Sequence, residues 1–385
     1  MGHLIMDTTH RLPPRAAWDP AARTLRDAYA RVPGAPIYQR EFGWYCREAW
    51  VDQGLPLDAD LAAEFGFDER AVVDLGGLGW CEAALLPPFT EAVIEDRGEY
   101  EVVRDAAGRH VLCFKGRRTG FMPEYLDHPV KDLASFDREI RWRLDPAAPG
   151  RFAGTDAVLD AAVAKAARGW MVRQGLIGGY MYLRSLIGPE RLLYAVVDDP
   201  DLIDACMAAW FELSDAVIAR HQTRAVIDEL FIAEDICYNK GALISPRMMR
   251  RFLLPWYERL IARVRTRQLD PARTLHLHID SDGDCRPVMD IYRAIGMDAM
   301  SPCEVASGCD VVDMGRRWPD VMLSGGIDKR ILAAGPAAID AMVERIVPAM
   351  RARGGYIPTC DHGVPAEVRL ADYRHYRRRM LELGR

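Results

Sequence analysis

Carboxylates, imidazoles and one thiol recur just beyond short apolar runs in the second half of this sequence. Glu234 and Asp235 follow the run 228–233, with Tyr238 close behind. Asp280 and Asp282 follow 274–279, Glu304 follows a short run at 299, and Asp328 follows 321–324. Cys360, Asp361 and His362 stand in a row after 356–359. In parallel α/β folds functional groups gather past the C-terminal ends of strands. A convergent set of this kind suits acid–base chemistry or a divalent metal. Mixed carboxylate, imidazole and thiolate donors fit Zn²⁺ best, although no HExxH or CxxC spacing fixes the geometry. Each group also has a plain structural reading. Asp328 can cap a turn, Glu234 and Asp235 can cap a helix or pair with a loop, and His276 and His278 can form an internal hydrogen-bond network.

The elements that must position these groups follow from periodicity. Leu275, Leu277 and Ile279 alternate with His276, His278 and Asp280, so the polar set of that strand points into a barrel and the apolar set faces outer helices. Strands are expected at 172–178, 228–233, 274–279, 299, 321–324 and 356–359. Helices are expected at 157–168, 189–224 with a break at Asp198-Asp199-Pro200, 246–268, 286–295, 311–318, 336–353 and 370–383. This alternation predicts a parallel sheet, and no Gly-rich phosphate loop follows any strand. Residues 36–50 read as strand, turn and short helix. Residues 92–116 read as a β-hairpin excursion around Asp105-Ala106-Ala107-Gly108.

The expected architecture is an α/β (β/α)8 TIM-type barrel over 36–385, preceded by an N-terminal arm at 1–35. The 385 residues suit such a barrel with additions. A net charge of -6 lacks the footprint of a nucleic-acid binder. A mean hydropathy of -0.12, with no apolar run of membrane length, predicts no membrane span. Residues 1–15 show no signal-peptide pattern and the nine cysteines are scattered, so a cytoplasmic location with reduced thiols is expected.

Several segments resemble the uroporphyrinogen decarboxylase superfamily, which includes cobalamin-dependent methyltransferases. They are AEDICYNKGALISPRMMRRFLLPWY (233–257), DSDGD (280–284), SPCEVASGCDVV (301–312), SGGIDKRIL (324–332) and GGYIPTCDHGVP (354–365). Weaker matches are FGWY (42–45), GLP (54–56), PPF (87–89) and GEYEVVRDAAG (98–108). The resemblance implies a TIM-type barrel with its cleft at the strand C-termini. The decarboxylase branch implies an Arg-rich N-terminal loop, of which this chain keeps Arg40 in QREFGWYCREAW (39–50). The methyltransferase branch implies Zn²⁺ held by His-x-Cys where this chain has Asp280-x-Asp282, and by a Cys near Cys360 or Asp361.

The first expectation drawn from this is methyl transfer between a small methylated substrate, of which a methoxyaromatic is one kind, and a corrinoid on a partner protein, since the chain lacks the DxHxxG corrinoid signature. Zn²⁺ would be held by some of Asp282, Glu304, Cys360 and His362 and would act as a Lewis acid. Asp282, Glu234, Asp235, Asp361 and Tyr238 are the candidate catalytic or ligand-orienting residues. Arg40, Trp44, Tyr182, Arg184 and Asp328 are the candidate substrate-binding residues. The second expectation is a metal-free lyase acting on a carboxylated small molecule or tetrapyrrole. There Asp235, Asp282 and His362 manage protons while Arg40 and Arg184 hold carboxylates. A non-catalytic tetrapyrrole or corrinoid carrier is a third expectation, disfavoured by the dense carboxylates. The family also implies a homodimer.

Overall fold

A computed structural model describes residues 10–116 and 123–385; the first nine residues of the expected arm and residues 117–122 lie outside it. Seven parallel strands form one curled sheet, in the order β1 (Val72–Asp74), β6 (Met171–Ile177), β7 (Glu229–Ala233), β10 (His276–Asp280), β11 (Ala299–Ser301), β12 (Met322–Ser324) and β13 (Tyr356–Ile357). Strand follows strand in chain order, with helices on the outer face. This is the TIM-type barrel expected from the alternation.

The eighth position is not a laddered strand. Residues 37–45 are extended and span the seam between β1 and β13 irregularly. Gln39 exchanges hydrogen bonds with Asp68, the Tyr38 hydroxyl donates to the Glu69 carbonyl, and Trp44 makes an isolated parallel bridge to Val364. The strand expected within 36–50 is therefore corrected to a strap of single contacts; the short helix expected there is Arg47–Asp52. β1 lies outside the expected strands, since three residues before Gly76 and Gly77 give too short a run to stand out.

The excursion is larger than a hairpin. β2 (Ala92–Arg97), β3 (Tyr100–Arg104), β4 (His110–Phe114) and β5 (Glu124–Asp127) form a four-stranded antiparallel sheet. A two-residue pair, β8 (Cys237–Tyr238) with β9 (Gly241–Ala242), sits after β7.

The helices begin where the sequence caps them. Asp199 accepts from Leu202 N and Pro200 opens the helix Pro200–His221, so the expected break is present. The expected helix 246–268 is two, Pro246–Phe252 and Leu254–Arg267. Pro255 has no N–H to give to the preceding turn, and its ring clashes with the carbonyl there.

Period two holds within the barrel. Leu277 and Ile279 are buried among the outer helices, while His276, His278 and Asp280 face inward. The inward layer is apolar at the floor, where Tyr29, Tyr38, Met171, Ala299, Met322 and Ile357 pack together. The helix Pro20–Tyr29 closes that floor from below. Arg26 and Arg273 both hold the buried Asp228, which also accepts from Val172 N. Among the described residues no helix is long and apolar enough to cross a membrane.

Candidate active site

Above the apolar floor the inward layer turns polar and fully paired. Glu229 accepts from Arg173 at 2.7 Å and from the Tyr29 hydroxyl at 2.5 Å, and meets His278 Nδ1 at 2.7 Å. His278 Nε2 lies 2.8 Å from Ser301 Oγ, and Ser301 donates a very short hydrogen bond to Asp280. The chain Arg173–Glu229–His278–Ser301–Asp280 thus crosses β6, β7, β10 and β11. Burial alone would raise the Glu229 carboxyl, but Arg173 and His278 outweigh it and hold Glu229 well below the usual range. Asp280 is different. Its burial raises it, and the Ser301 hydroxyl and His278 only partly oppose this. This is the internal network that unpaired buried polar groups would otherwise make costly.

Beside this layer, the strap residues Tyr38, Arg40, Glu41 and Trp44 line a cavity of about 350 Å³ with Arg173 and His278. Arg40 has no hydrogen-bond or ion-pair partner there among the described residues, and its burial beside Arg173 lowers its pKa. Two residues further along the extended strap, the Phe42 ring lies 6.1 Å from the His362 ring.

At the mouth, the end of β7 gives two carboxylates with opposite surroundings. Glu234 is fully buried, accepts from Tyr180 N and the Tyr257 hydroxyl, and is pushed up to about 7 by that burial. Gly178 permits this, since a Cβ there would lie 2.2 Å from a Glu234 oxygen. Asp235 sits at φ +41° and pairs with Arg184 at 2.5 Å. Burial raises its carboxyl and Arg184 partly offsets this. A non-Gly residue held in the left-handed region stores strain, as functional sites often do.

The β10 end turns at Gly283, whose φ of +80° and 2.7 Å approach to the Tyr238 backbone admit no side chain. This turn presents Asp282, half exposed, to His362 Nε2 at 3.1 Å. Lys329 Nζ lies 3.2 Å from His362 Nδ1 and 3.3 Å from Asp361. In the neutral ring Lys329 donates to Nδ1, which leaves the Nε2–H facing Asp282. The Asp282 carboxylate raises the His362 pKa, against burial and Lys329. Asp361 is buried and raised by that burial, steadied by Lys329 and by Val305 N at 3.1 Å.

The structure thus brings together Asp282, Asp361 and His362, and places Glu304 beside them, where it accepts from Gly283 N at 2.8 Å. It does not assemble the expected zinc set. Among the described residues no group of three or more His, Cys, Asp or Glu side chains converges to hold a metal ion. Cys360 is buried next to Glu41, which takes its backbone N–H, and burial keeps its thiol well above the usual range. The ammonium of Lys329 supplies the local positive charge instead. The four residues as arranged do not fit Zn²⁺.

Two expected substrate contacts are corrected, Asp328 and Tyr182. Asp328 caps the helix Lys329–Leu332 and both its oxygens are taken by Arg330. Tyr182 is buried in the helix Gly179–Ile187, away from the mouth. Trp44 reaches the cavity edge, but its ring packs against Trp50, Phe65, Phe67 and Tyr373. Tyr238 is exposed on β8, and its backbone rather than its hydroxyl supports the Asp282 turn. Lys329, Ser301, Glu229 and Arg173 were not singled out from sequence. Glu229 had a signal, a charge at an inward position of an apolar strand; Lys329 had none.

The uroporphyrinogen decarboxylase (URO-D) family model matches residues 172–380, more than half of the chain. The chain belongs to the URO-D family. The matched span holds every mouth residue described above, whereas Arg40 and the strap lie before it. A solved methyltransferase from Methanosarcina mazei is 15% identical, with a TM-score of 0.56 over 94% of this chain and 98% of that one, and shows the same fold. A xylanase, XynB from Paenibacillus barcinonensis complexed with a conduramine derivative, gives a TM-score of 0.31 at 12% identity over 59% of this chain and 81% of that one, too low to bear on the fold. A search of curated proteins found no match.

Proposed function

We propose that this URO-D family member is a lyase that removes a carboxyl group from a carboxylated small molecule without a metal. The observation that carries the reading is the Lys329–His362–Asp282 arrangement. A side-chain cation stands on the imidazole, and the imidazole is paired with a carboxylate on its other nitrogen. Asp282 raises this imidazole, so it holds a proton to higher pH than a free one and can release it. Arg40, which lines the cavity with no ion-pair partner among the described residues, suits a second carboxylate of the substrate. In the step itself the C–C bond to the departing carboxylate breaks and CO2 leaves. The electron pair stays on the substrate carbon, within a conjugated system, and that carbon takes the His362 proton. The Asp235–Arg184 pair flanks the same mouth and orients the substrate.

Methyl transfer to a corrinoid on a partner protein is the second reading, supported by the fold shared with the M. mazei methyltransferase. It requires bound metal, and the lyase does not. The deciding experiment measures CO2 release from uroporphyrinogen and small polycarboxylates before and after EDTA, alongside elemental analysis. Release that survives EDTA and is lost in His362→Ala supports the lyase. Stoichiometric zinc, with activity restored only by zinc, overturns it in favour of methyl transfer.

A further inference from the structure

Two fully buried thiols lie directly beneath the turns that carry the mouth carboxylates. Cys285 follows the β10 turn that presents Asp282, and Cys309 ends the loop after β11 that carries Glu304. Their sulfurs are 3.7 Å apart, and Cys309 Sγ also reaches the Gly283 carbonyl at 3.5 Å. A disulfide needs about 2.05 Å, so a small rotation of either side chain closes the gap. We propose that Cys285 and Cys309 form a reversible disulfide under peroxide, tying the β10 and β11 loops together and locking the mouth. The inference is independent of which reaction the mouth performs.

The two thiols have unequal roles. The hydrogen bond from Cys285 lowers the Cys309 thiol, against its burial, while the same bond and burial raise Cys285. Cys309 is therefore the attacking thiolate and Cys285 the resolving thiol. The Cys309 thiol gives up its proton, and the thiolate takes one peroxide oxygen with its hydrogen to become a sulfenic acid; the other oxygen leaves as hydroxide, which takes up that proton and becomes water. The Cys285 thiol then attacks that sulfur, the S–S bond forms, and a second water leaves. In sum, two thiols and one hydrogen peroxide give one disulfide and two waters.

Access is controlled from outside. The Arg286 guanidinium, paired with Asp284, lies over Gly308, where a Cβ would approach Arg286 Nη2 at 2.8 Å. The Arg286 side chain is partly exposed, and it must swing aside for a peroxide to enter. Cys237 and Cys303 are buried nearby, and the Cys303 thiol is directed to the Met300 carbonyl.

The test uses the full chain carrying Cys81→Ser, which removes the exposed thiol. The protein is treated with hydrogen peroxide, alkylated, digested and mapped by mass. The expected result is a loss of two hydrogens in the intact mass, a cross-linked peptide joining 285 to 309, and reversal by dithiothreitol. Cys285→Ser is expected to abolish the cross-link and leave a trappable sulfenic acid at 309; Cys303→Ser is expected to leave the cross-link intact. No loss of hydrogens, or a cross-link joining other cysteines, overturns the proposal. The mapping in the Cys81→Ser chain alone suffices if the further variants fail to fold.

Discussion

His362 and Asp282 meet at 3.1 Å across the barrel mouth, one from the loop after β13 and the other from the turn after β10, and the carboxylate raises the imidazole. In the folded protein the proton is therefore retained to a pH above the ordinary imidazole value. The protonated pair is fully present below that ordinary value and is lost as pH rises through the raised one. If His362 delivers a proton, activity falls on the alkaline side. Asp282→Asn is expected to move that limb to lower pH. A pH–rate profile in which the limb stays put would remove His362 from the acid role.

Glu234 carries a second pH signature, of opposite origin. Burial pushes its carboxyl from an ordinary value near 4.5 up to about 7, so the folded state holds a proton that the unfolded state releases first. Stability then falls as pH rises between those values, by roughly 3 kcal/mol in total. Glu234→Gln keeps the shape and much of the hydrogen bonding without the charge. Chemical denaturation across pH is expected to show a flatter curve for the variant, and parallel curves would sink this assignment.

Arg184 and Asp235 are each about a quarter exposed, so their ion pair adds under about 1 kcal/mol to stability. Arg184→Gln is expected to leave Tm nearly unchanged while lowering kcat/KM at least tenfold. Equal activity with an unchanged Tm would show that the pair does not touch substrate.

Asp228, buried between Arg26 and Arg273, is the opposite case. Asp228→Ala leaves two guanidinium groups at the floor without their carboxylate and is expected to cost about 3–5 kcal/mol. Urea denaturation reads this directly.

EDTA followed by gel filtration is expected to leave the thermal midpoint unchanged, since no described donor set holds a metal. A midpoint that drops and recovers with zinc would contradict the geometry of the mouth.

Much of this site was legible because strand parity is a strict rule. Alternation in 275–280 alone places His276, His278 and Asp280 inside the barrel, and the strand ends point to Asp282, Asp361 and His362. What parity cannot give is contact between distant segments. Lys329 reads as an ordinary residue after a capping Asp, and only the fold sets its ammonium against His362. The same gap explains Tyr182, because an aromatic lining a pocket and one filling a core look alike in sequence. Cys360 failed as a ligand for a related reason, since its place at a strand end does not reveal that the strap covers it. The expected 246–268 helix was broken by a local signal, Pro255, that periodicity outweighed.

The helix Pro20–Tyr29 has a consequence for how the chain reaches its fold. Its partners are Gly169, Trp170, Asp228 and Glu229, all made long after it during synthesis. The lead-in meets its first partners only at residues 169–171 and completes its polar contacts only at Asp228 and Glu229, so these contacts have high sequence separation and form slowly. A fragment confined to the family-matched span 172–380 would lack this helix, β1 and the strap. It would leave Glu229 without Tyr29 and Asp228 without Arg26, and is expected to collapse without completing the barrel.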